Sequence, residues 1–262
     1  MQELVLSERR PDGVAIVTLN NPPLNLQTLG LMRELERAIM ELDGDDGIRA
    51  VVLTGAGTRA FSAGSDVKEF PALRKNFVEE KLRRENAVFS RIENMKKPVI
   101  AAICGAAMGG GCELALACDF RVIDETVKIG LPEINLGSFP GSGGLSRLPK
   151  LVGYTKAMEL MCLGTVLDAG EARRIGLVNS VSAQGRALSD ACELAHRLSR
   201  QALCAIRYIK QAVHAASTQT SAEAVELSLR LSEKIFQTAD SREGVLAFLE
   251  KRRPVFEGAP TD

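Results

Sequence analysis

Short apolar runs alternate with amphipathic stretches through the first half of the chain. Residues 3–8 and Val14–Leu19 have the alternation of two strands, and the Pro-Asp-Gly turn between them predicts a hairpin. Apolar residues at helical spacing between positions 31 and 42 predict the first helix. Continuous apolar runs at residues 50–53 and Val99–Ile103 predict buried strands. Strands that alternate with helices in this way indicate an α/β core.

A charge-rich segment, residues 73–95, predicts one long helix between two of these strands. The spacing places four apolar side chains on its inner face, namely Phe77, Leu82, Phe89 and Ile92. We expect its many charged side chains to form a solvated outer face. Strand character resumes afterwards at residues 121–123 and 127–130.

Beyond the Gly-Ser-Gly-Gly segment at residues 141–144, the pattern becomes mostly helical. Helices are predicted at residues 152–163 and 182–199, and capping boxes at residues 168–171 and 220–223. Residues 222–236 are apolar on more than one face. We therefore expect this last segment to pack on its own chain and on a partner subunit.

Composition narrows the class of protein. The 262 residues are 45% hydrophobic and 25% charged, and 33 basic residues balance 33 acidic ones, so no net field favours nucleic acid. There is no Trp and there are only two Tyr, which disfavours a base-stacking platform. The N-terminus lacks a signal pattern, and the longest uncharged apolar run, residues 99–112, is too short to span a membrane. We expect a cytoplasmic protein that binds neither nucleic acid nor membrane.

Several common catalytic devices do not fit the sequence. The six cysteines form no CxxC pair and lie in apolar stretches, so we expect buried free thiols rather than a metal site or disulfides. Residues 55–60 match G-x-G-x-x-A after a strand, but small residues and another glycine follow instead of a helix, so we interpret the match as a turn. The histidines, His196 and His214, both fall in the helical C-terminal part, which disfavours a Ser–His–Asp device.

The richest candidate chemistry lies in residues 101–140. Three glycines, residues 109–111, follow an apolar strand and precede a short apolar helix that carries Glu113. A helix start offers free N–H groups to negative charge, and the spacing puts Gly110 and Glu113 on one side of that helix. Glu133 follows a proline twenty residues later. This pattern predicts an anion-binding backbone donor beside a candidate acid or base. The alternative is that the glycines only permit tight packing and that the glutamates reach solvent.

The two glutamates suit the separate roles of a general base and a general acid. Two neighbouring carboxyls cannot both ionise freely, so one pKa rises and its acid form persists near neutrality. One carboxylate then suits general-base work and the other suits general-acid work.

Five ordered motifs give the chain a resemblance to a known family. They are SAGSD followed by KE, PVIAAICGAAMGGGCELALACD, LPEINLGSFPGSGG, LDAGEARRIGLVNSV and DSREGVLAFLEKRRPVF. Spread over essentially the whole chain, they resemble the crotonase (enoyl-CoA hydratase/isomerase) family. The resemblance implies a spiral of repeated ββα units in residues 1–200. It also implies a C-terminal helical region, residues 201–262, through which subunits form a homotrimer or a dimer of trimers.

The resemblance also implies roles for the site residues. The backbone N–H groups of Ser65 and Gly110 match an oxyanion hole that holds the thioester carbonyl of an acyl-CoA. The family often has alanine where Ser65 stands; the hole uses a main-chain donor, so it is expected to persist, although the hydroxyl can alter the pocket. By the same resemblance Glu113 activates a water for attack on Cβ, and Glu133 supplies the proton to Cα.

Further positions match segments that bind substrate or coenzyme A in the family. They are Leu24, Ala63, Asp66, Gly109 and Lys251. Lys251 is expected to reach the CoA phosphates of a neighbouring subunit. Coenzyme A enters as part of the substrate, so no permanently bound cofactor and no metal are expected.

These features predict an enoyl-CoA hydratase, which adds water across the 2,3 double bond of a 2-enoyl-CoA to give a 3-hydroxyacyl-CoA. One alternative is a Δ3-Δ2-enoyl-CoA isomerase, which needs a single residue to move a proton between carbons; the presence of Glu113 disfavours it. A second alternative is a protein of this fold that binds or assembles without catalysis. The intact glutamate pair and the glycine-rich hole disfavour that hypothesis.

Overall fold

The computed structural model describes residues 3–257, which form two β-sheets surrounded by helices. The strands are β1 Val5–Arg9, β2 Val14–Leu19, β3 Ala50–Gly55, β4 Ala60–Ser62, β5 Val99–Ile103, β6 Ala106–Met108, β7 Phe120–Asp124, β8 Lys128–Gly130, β9 Val166–Asp168 and β10 Ser180–Ser182. The α-helices are α1 Leu29–Gly44, α2 Phe70–Leu73, α3 Arg83–Glu93, α4 Gly110–Leu116, α5 Gly144–Val152, α6 Tyr154–Leu163, α7 Ala169–Arg174, α8 Ala187–Ser199, α9 Leu203–Ala216, α10 Ser221–Phe236 and α11 Ala239–Leu249. Short 3-10 segments lie at Val67–Glu69 and Glu133–Leu136, and a π turn at Val78–Leu82.

The sheets are built from a repeated pair of strands. The larger sheet has the order β1-β2-β3-β5-β7-β10, and the smaller has the order β4-β6-β8-β9. In each of the successive pairs β3/β4, β5/β6 and β7/β8, the first strand joins the larger sheet and the second joins the smaller. Helical segments follow each pair, so the chain advances as ββα units. The predicted hairpin is confirmed, since β1 and β2 pair antiparallel, while the rest of the larger sheet is parallel.

Apolar side chains fill both faces of the larger sheet. On one face, residues from α1, α3 and α4 join residues of both sheets in the main core. On the other face, α8 presents Ala187, Ala191 and Ala195, which are spaced four residues apart and pack on the sheet. Small side chains at this spacing let the helix lie close to the strands, so the parallel strands are covered on both sides.

The long helix predicted at residues 73–95 is interrupted. Helix α2 ends at Leu73, and the chain then passes through a turn and the π turn before α3 begins. Most of its charged side chains face solvent as expected, but Lys81 and Glu85 are fully buried. Phe89 and Ile92 are buried as predicted, whereas Phe77 and Leu82 are only half-buried.

Two helix boundaries in the second half differ from the predictions. The helix predicted at residues 152–163 is preceded by α5, which the pattern did not reveal, and Gly153 at φ 79° separates α5 from α6. The helix predicted at residues 182–199 begins only at Ala187, because Ser180–Ser182 pairs with β7 as a strand.

The helix starts marked by capping patterns are present. Asp168 accepts the N–H of Glu171 at 2.8 Å, and Thr220 and Glu223 form the complete capping box at the start of α10. Helix α10 packs on α9, yet Leu231 is its one buried side chain among the described residues. Its predicted contact with a partner subunit stays a prediction. Residues 258–262 of the predicted oligomerisation region lie outside the described residues, as do residues 1–2. Within residues 3–257, no helix combines the length and apolar character needed to cross a membrane.

Candidate active site

The candidate site lies where three strands of the smaller sheet end. Strands β4, β6 and β8 run parallel, so their carboxyl ends meet at one edge. The chain leaves β4 towards Ser65, leaves β6 into Gly109 and α4, and leaves β8 towards Glu133. The sheet topology therefore gathers residues that are far apart in the sequence.

Close contacts explain the three glycines at the start of α4. Gly109 has φ 54°, a conformation that glycine adopts at little cost. A Cβ on Gly110 would lie 2.5 Å from Gln27 Oε1, and a Cβ on Gly111 would overlap Ser62 O. The glycines let the helix begin directly against the loop that follows β4.

Two backbone N–H groups at this junction are free to bind an anion. Gly110 is the first residue of α4, so its N–H has no acceptor within the helix. Among the hydrogen bonds of residues 3–257, none is donated by the Ser65 N–H, whereas the Gly64 N–H is donated to Ser62 Oγ. The two segments touch, because a Cβ on Gly64 would lie 3.0 Å from Gly110 N. Both predicted oxyanion donors are thus neighbours.

The loop before α1 holds these two segments together. The buried side chain of Gln27 donates from Nε2 to Gly110 O at 2.9 Å, and its own N–H donates to Gly64 O at 2.9 Å. The Ala63 N–H donates to Leu24 O at 2.9 Å. These bonds fix the loop after β4 against the start of α4.

Glu113 extends from α4 into a nearly closed space. It is 3% exposed, and its Oε1 accepts the N–H groups of Ser142 and Gly144, each at 2.8 Å. A Cβ on Gly144 would lie 3.0 Å from the same oxygen, so glycine at this position makes room for the contact. Two N–H donors on one oxygen orient the carboxylate and favour its ionised form.

Glu133 starts the 3-10 segment and carries an unsatisfied carboxylate. Both of its oxygens are hidden from solvent, and neither has a hydrogen-bond partner within residues 3–257. Its Oε1 would lie 3.1 Å from a Cβ on Gly109, which places it beside the start of α4. Buried polar oxygens are normally bonded, so the two oxygens of Glu133 stand out as unpaired acceptors within the described residues.

Both carboxyls resist ionisation. Burial raises the pKa of Glu113 to about 8, and the charges of Glu133 and Glu85 add to the rise against the opposing effect of its two N–H donors. Burial also raises the pKa of Glu133. The pair therefore retains a proton near neutral pH, with burial rather than the neighbouring charge as the main cause.

The structure gathers most, but not all, of the predicted binding residues. Leu24 and Ala63 share a hydrogen bond, and Ala63 lies in the loop that leads to Ser65. The Asp66 side chain caps the next 3-10 segment by accepting the Lys68 N–H at 3.0 Å. Lys251 lies exposed after α11, and its N–H donates to Phe248 O at 3.2 Å; its contact with the CoA phosphates of a neighbouring subunit stays a prediction.

Some site residues were not found from the sequence. Ser142 and Gly144 hold Glu113 through backbone N–H groups, which leave no mark in a side-chain pattern. Glu85 accepts the Ser65 hydroxyl at 2.9 Å, so that hydroxyl points to a buried carboxylate. The sequence signal that could have revealed Glu85 was its four-residue spacing from Lys81, which is typical of a helical ion pair.

A separate pocket of about 680 Å³ lies near the far end of α4. It is lined by residues of that end, α3, α5 and α9, and neither Glu113 nor Glu133 contributes to it. Within residues 3–257, no group of three or more His, Cys, Asp or Glu side chains is arranged to hold a metal.

Comparisons with known proteins agree with this geometry. The family model for enoyl-CoA hydratase/isomerase matches residues 9–259. A Rhizobium meliloti relative named a probable enoyl-CoA hydratase is 42% identical over 245 residues, covering 93% of this chain and 94% of the relative. The short-chain-enoyl-CoA hydratase of Clostridium acetobutylicum is 37% identical over 243 residues, with 92% of each chain covered. A crystal structure of enoyl-CoA hydratase from Bacillus anthracis matches with a TM-score of 0.93 at 34% identity, covering 98% of this chain and 100% of that one.

With its ββα units and matches over nearly its whole length, this chain belongs to the enoyl-CoA hydratase/isomerase family and is an enzyme. The α/β fold with a helical C-terminal region, predicted from the sequence motifs, is confirmed.

Proposed function

We propose that the protein is an enoyl-CoA hydratase that converts a 2-enoyl-CoA into a 3-hydroxyacyl-CoA. The observation that carries the proposal is the pair Glu113 and Glu133 beside two free N–H donors. Hydration needs a base for water, an acid for carbon, and a donor for the thioester oxygen. The named hydratases among its relatives support the same activity.

In the proposed mechanism the thioester carbonyl accepts the N–H groups of Ser65 and Gly110. Ionised Glu113 removes a proton from a water as its oxygen bonds to Cβ. The double-bond electrons move onto the thioester oxygen as an enolate, which the two N–H groups stabilise. Protonated Glu133 then donates its proton to Cα as the enolate collapses. Removal of one such donor typically costs about 3–4 kcal/mol of barrier.

The reaction leaves the pair with one proton, now on Glu113. The next bound water returns that proton to Glu133, so a singly protonated pair is needed at each turnover. The raised pKa values of both carboxyls support this state near neutral pH. The Ser142 and Gly144 N–H groups support ionised Glu113 once the proton lies on Glu133.

The alternative is a Δ3-Δ2-enoyl-CoA isomerase. Its support is Glu133 itself, whose two unpartnered oxygens suffice to carry a proton from one carbon to another. The matched test offers crotonyl-CoA and a 3-enoyl-CoA to the purified protein. Loss of the conjugated thioester absorbance through hydration supports the hydratase, whereas conversion of the 3-enoyl-CoA without hydration supports the isomerase.

We further propose that the C-terminal helical region, from residue 201 onward, forms a homotrimer or a dimer of trimers. Large apolar side chains there are exposed in the single chain, including Phe236 at 68%, Phe248 at 82% and Leu249 at 71%. Apolar exposure on this scale is typical of subunit interfaces. Lys251 lies two residues beyond Leu249 and therefore near this proposed subunit interface. We propose that assembly brings it to the CoA phosphates of a neighbouring subunit. We also propose a cytoplasmic location, as predicted from the sequence.

A further inference from the structure

A buried ion pair lies behind both halves of the site. Lys81, on the π turn, and Glu85, in the first turn of α3, are fully buried, and Nζ lies 3.3 Å from Glu85 Oε1. Buried charges are costly unless they are well paired, and single π turns within helices are frequent at functional sites. Neither residue takes part in the proposed proton transfers, so the pair requires another explanation.

The two oxygens of Glu85 are bonded to two different loops. Oε1 accepts the Ser65 hydroxyl at 2.9 Å, and Oε2 accepts the Ser142 hydroxyl at 2.5 Å. Ser65 carries one oxyanion N–H, and the Ser142 N–H bonds to Glu113 Oε1. One carboxylate therefore connects the anion-binding loop to the loop that orients Glu113.

Lys81 extends the same network to the other oxyanion donor. Its Nζ lies 3.1 Å from Glu69 Oε2 and donates to Gln27 O, in addition to its contact with Glu85. Gln27 in turn donates to Gly110 O. The three protons of the ammonium thus have three acceptors within residues 3–257, and the buried charges are mutually satisfied.

We propose that Glu85 is a positioning residue for the hydration reaction, acting through the hydroxyls of Ser65 and Ser142. It holds the Ser65 N–H and the Glu113 carboxylate at a fixed separation across the reacting atoms. Its effect on rate rests on the proposed function, whereas its effect on the rigidity of the two loops does not. Oxyanion binding and proton transfer both depend on placement finer than an ångström, so loosening either loop slows the reaction.

The first test removes only the two hydroxyls. The double variant Ser65→Ala/Ser142→Ala keeps both backbone N–H groups and leaves Glu85 paired with Lys81, so the fold is retained. We expect kcat to fall roughly 10-fold or more while KM changes by less than about 3-fold. A kcat within about 2-fold of wild type overturns the proposal.

The second test asks whether Glu85 acts through those hydroxyls. Glu85→Leu should lower kcat as the serine pair does, and the triple variant should be no slower than either. Glu85→Gln can still hydrogen-bond both hydroxyls, so it should recover most of the lost rate. Glu79→Gln is the same change at a carboxylate that is 64% exposed on the π turn, and this variant should match wild type. Additive losses in the triple variant would contradict the proposal that Glu85 acts through the two serine hydroxyls. If Glu85→Leu does not fold, the result for Ser65→Ala/Ser142→Ala decides the proposal by itself.

The third test needs no turnover. Amide hydrogen exchange should be at least about 10-fold faster in Ser65→Ala/Ser142→Ala within both residues 62–66 and residues 141–144, and unchanged in Glu79→Gln. Unchanged exchange in either loop overturns the positioning role. A wild-type enzyme without activity on any 2-enoyl-CoA overturns the proposed function instead, and the exchange result still decides whether Glu85 couples the loops.

Discussion

Replacing Glu113 by Gln should stabilise the protein at high pH while it removes activity. The folded state raises the pKa of Glu113 from 4.5 to about 8, mainly by burial. Each unit of such a shift corresponds to about 1.36 kcal/mol, so the folded protein should be less stable by roughly 4–5 kcal/mol above pH 8 than below pH 4.5 on account of this group. The loss develops between those two values, because the unfolded chain releases the proton first.

Glutamine avoids this loss. Its amide carries no charge to bury, and its carbonyl oxygen still accepts the Ser142 and Gly144 N–H groups that Glu113 accepts now. We therefore expect Glu113→Gln to be more stable than wild type by up to about 4 kcal/mol at pH 9 and equal to it near pH 4.5. The same variant should lose at least about 100-fold in kcat as the base is lost.

The assay is urea unfolding at pH 4.5, 7 and 9, followed by circular dichroism at one protein concentration. Glu79→Gln is the matched control, because the same change at an exposed carboxylate buries no charge. Parallel stability curves for wild type and Glu113→Gln across this pH range would refute the argument that burial of Glu113 sets its proton affinity. Full activity in the variant would refute its role as the base.

Three further predictions follow from the same contacts. The kcat/KM for hydration should fall as pH rises above about 8, because high pH removes the proton that the pair shares and Glu133 then has none to donate; a flat profile from pH 7 to 10 contradicts the shared-proton mechanism. Gly111→Ala should lower Tm strongly, because its Cβ overlaps Ser62 O, whereas Gly44→Ala, with no atom within 4 Å of the added carbon, should leave Tm nearly unchanged; equal Tm values contradict the close packing of α4. Phe248→Glu should reduce the mass measured by light scattering, because it puts a charge on the proposed subunit surface; an unchanged trimer or hexamer contradicts that placement.

Strands β1, β2, β3, β5, β7 and β8 and the amphipathic helix α1 were predictable because their apolar pattern is visible along the chain. The three-residue strands β4, β6, β9 and β10 were not predicted. The break in the helix predicted at residues 73–95 was not, because the π turn depends on tertiary contacts. Lys81 turns inward only because Glu85, Glu69 and a backbone carbonyl are there to receive it. The many charges in this segment favour a solvated face. The partners that offset the cost of burying this pair come from other parts of the chain, so no local sequence pattern reveals them.

The site was predictable to the extent that its chemistry lies in side chains and glycines. Glu113, Glu133 and the glycines at 109–111 stand out in the sequence, and the family resemblance added Ser65. The donors to Glu113 are backbone N–H groups in a loop about thirty residues later, which only the folded chain brings near. Asp66 was predicted to bind substrate because it lies in a site motif, but in the structure its side chain caps the next 3-10 segment.

The central claim is that this glutamate pair and the two N–H donors hydrate a 2-enoyl-CoA. The most direct measurement mixes the purified protein with crotonyl-CoA and follows the conjugated thioester absorbance, with Glu113→Gln and Glu133→Gln in parallel. We predict that wild type removes the absorbance and forms the 3-hydroxyacyl-CoA, and that each variant is slower by at least about 100-fold. No hydration of crotonyl-CoA or of longer 2-enoyl-CoAs by the wild-type protein would contradict it.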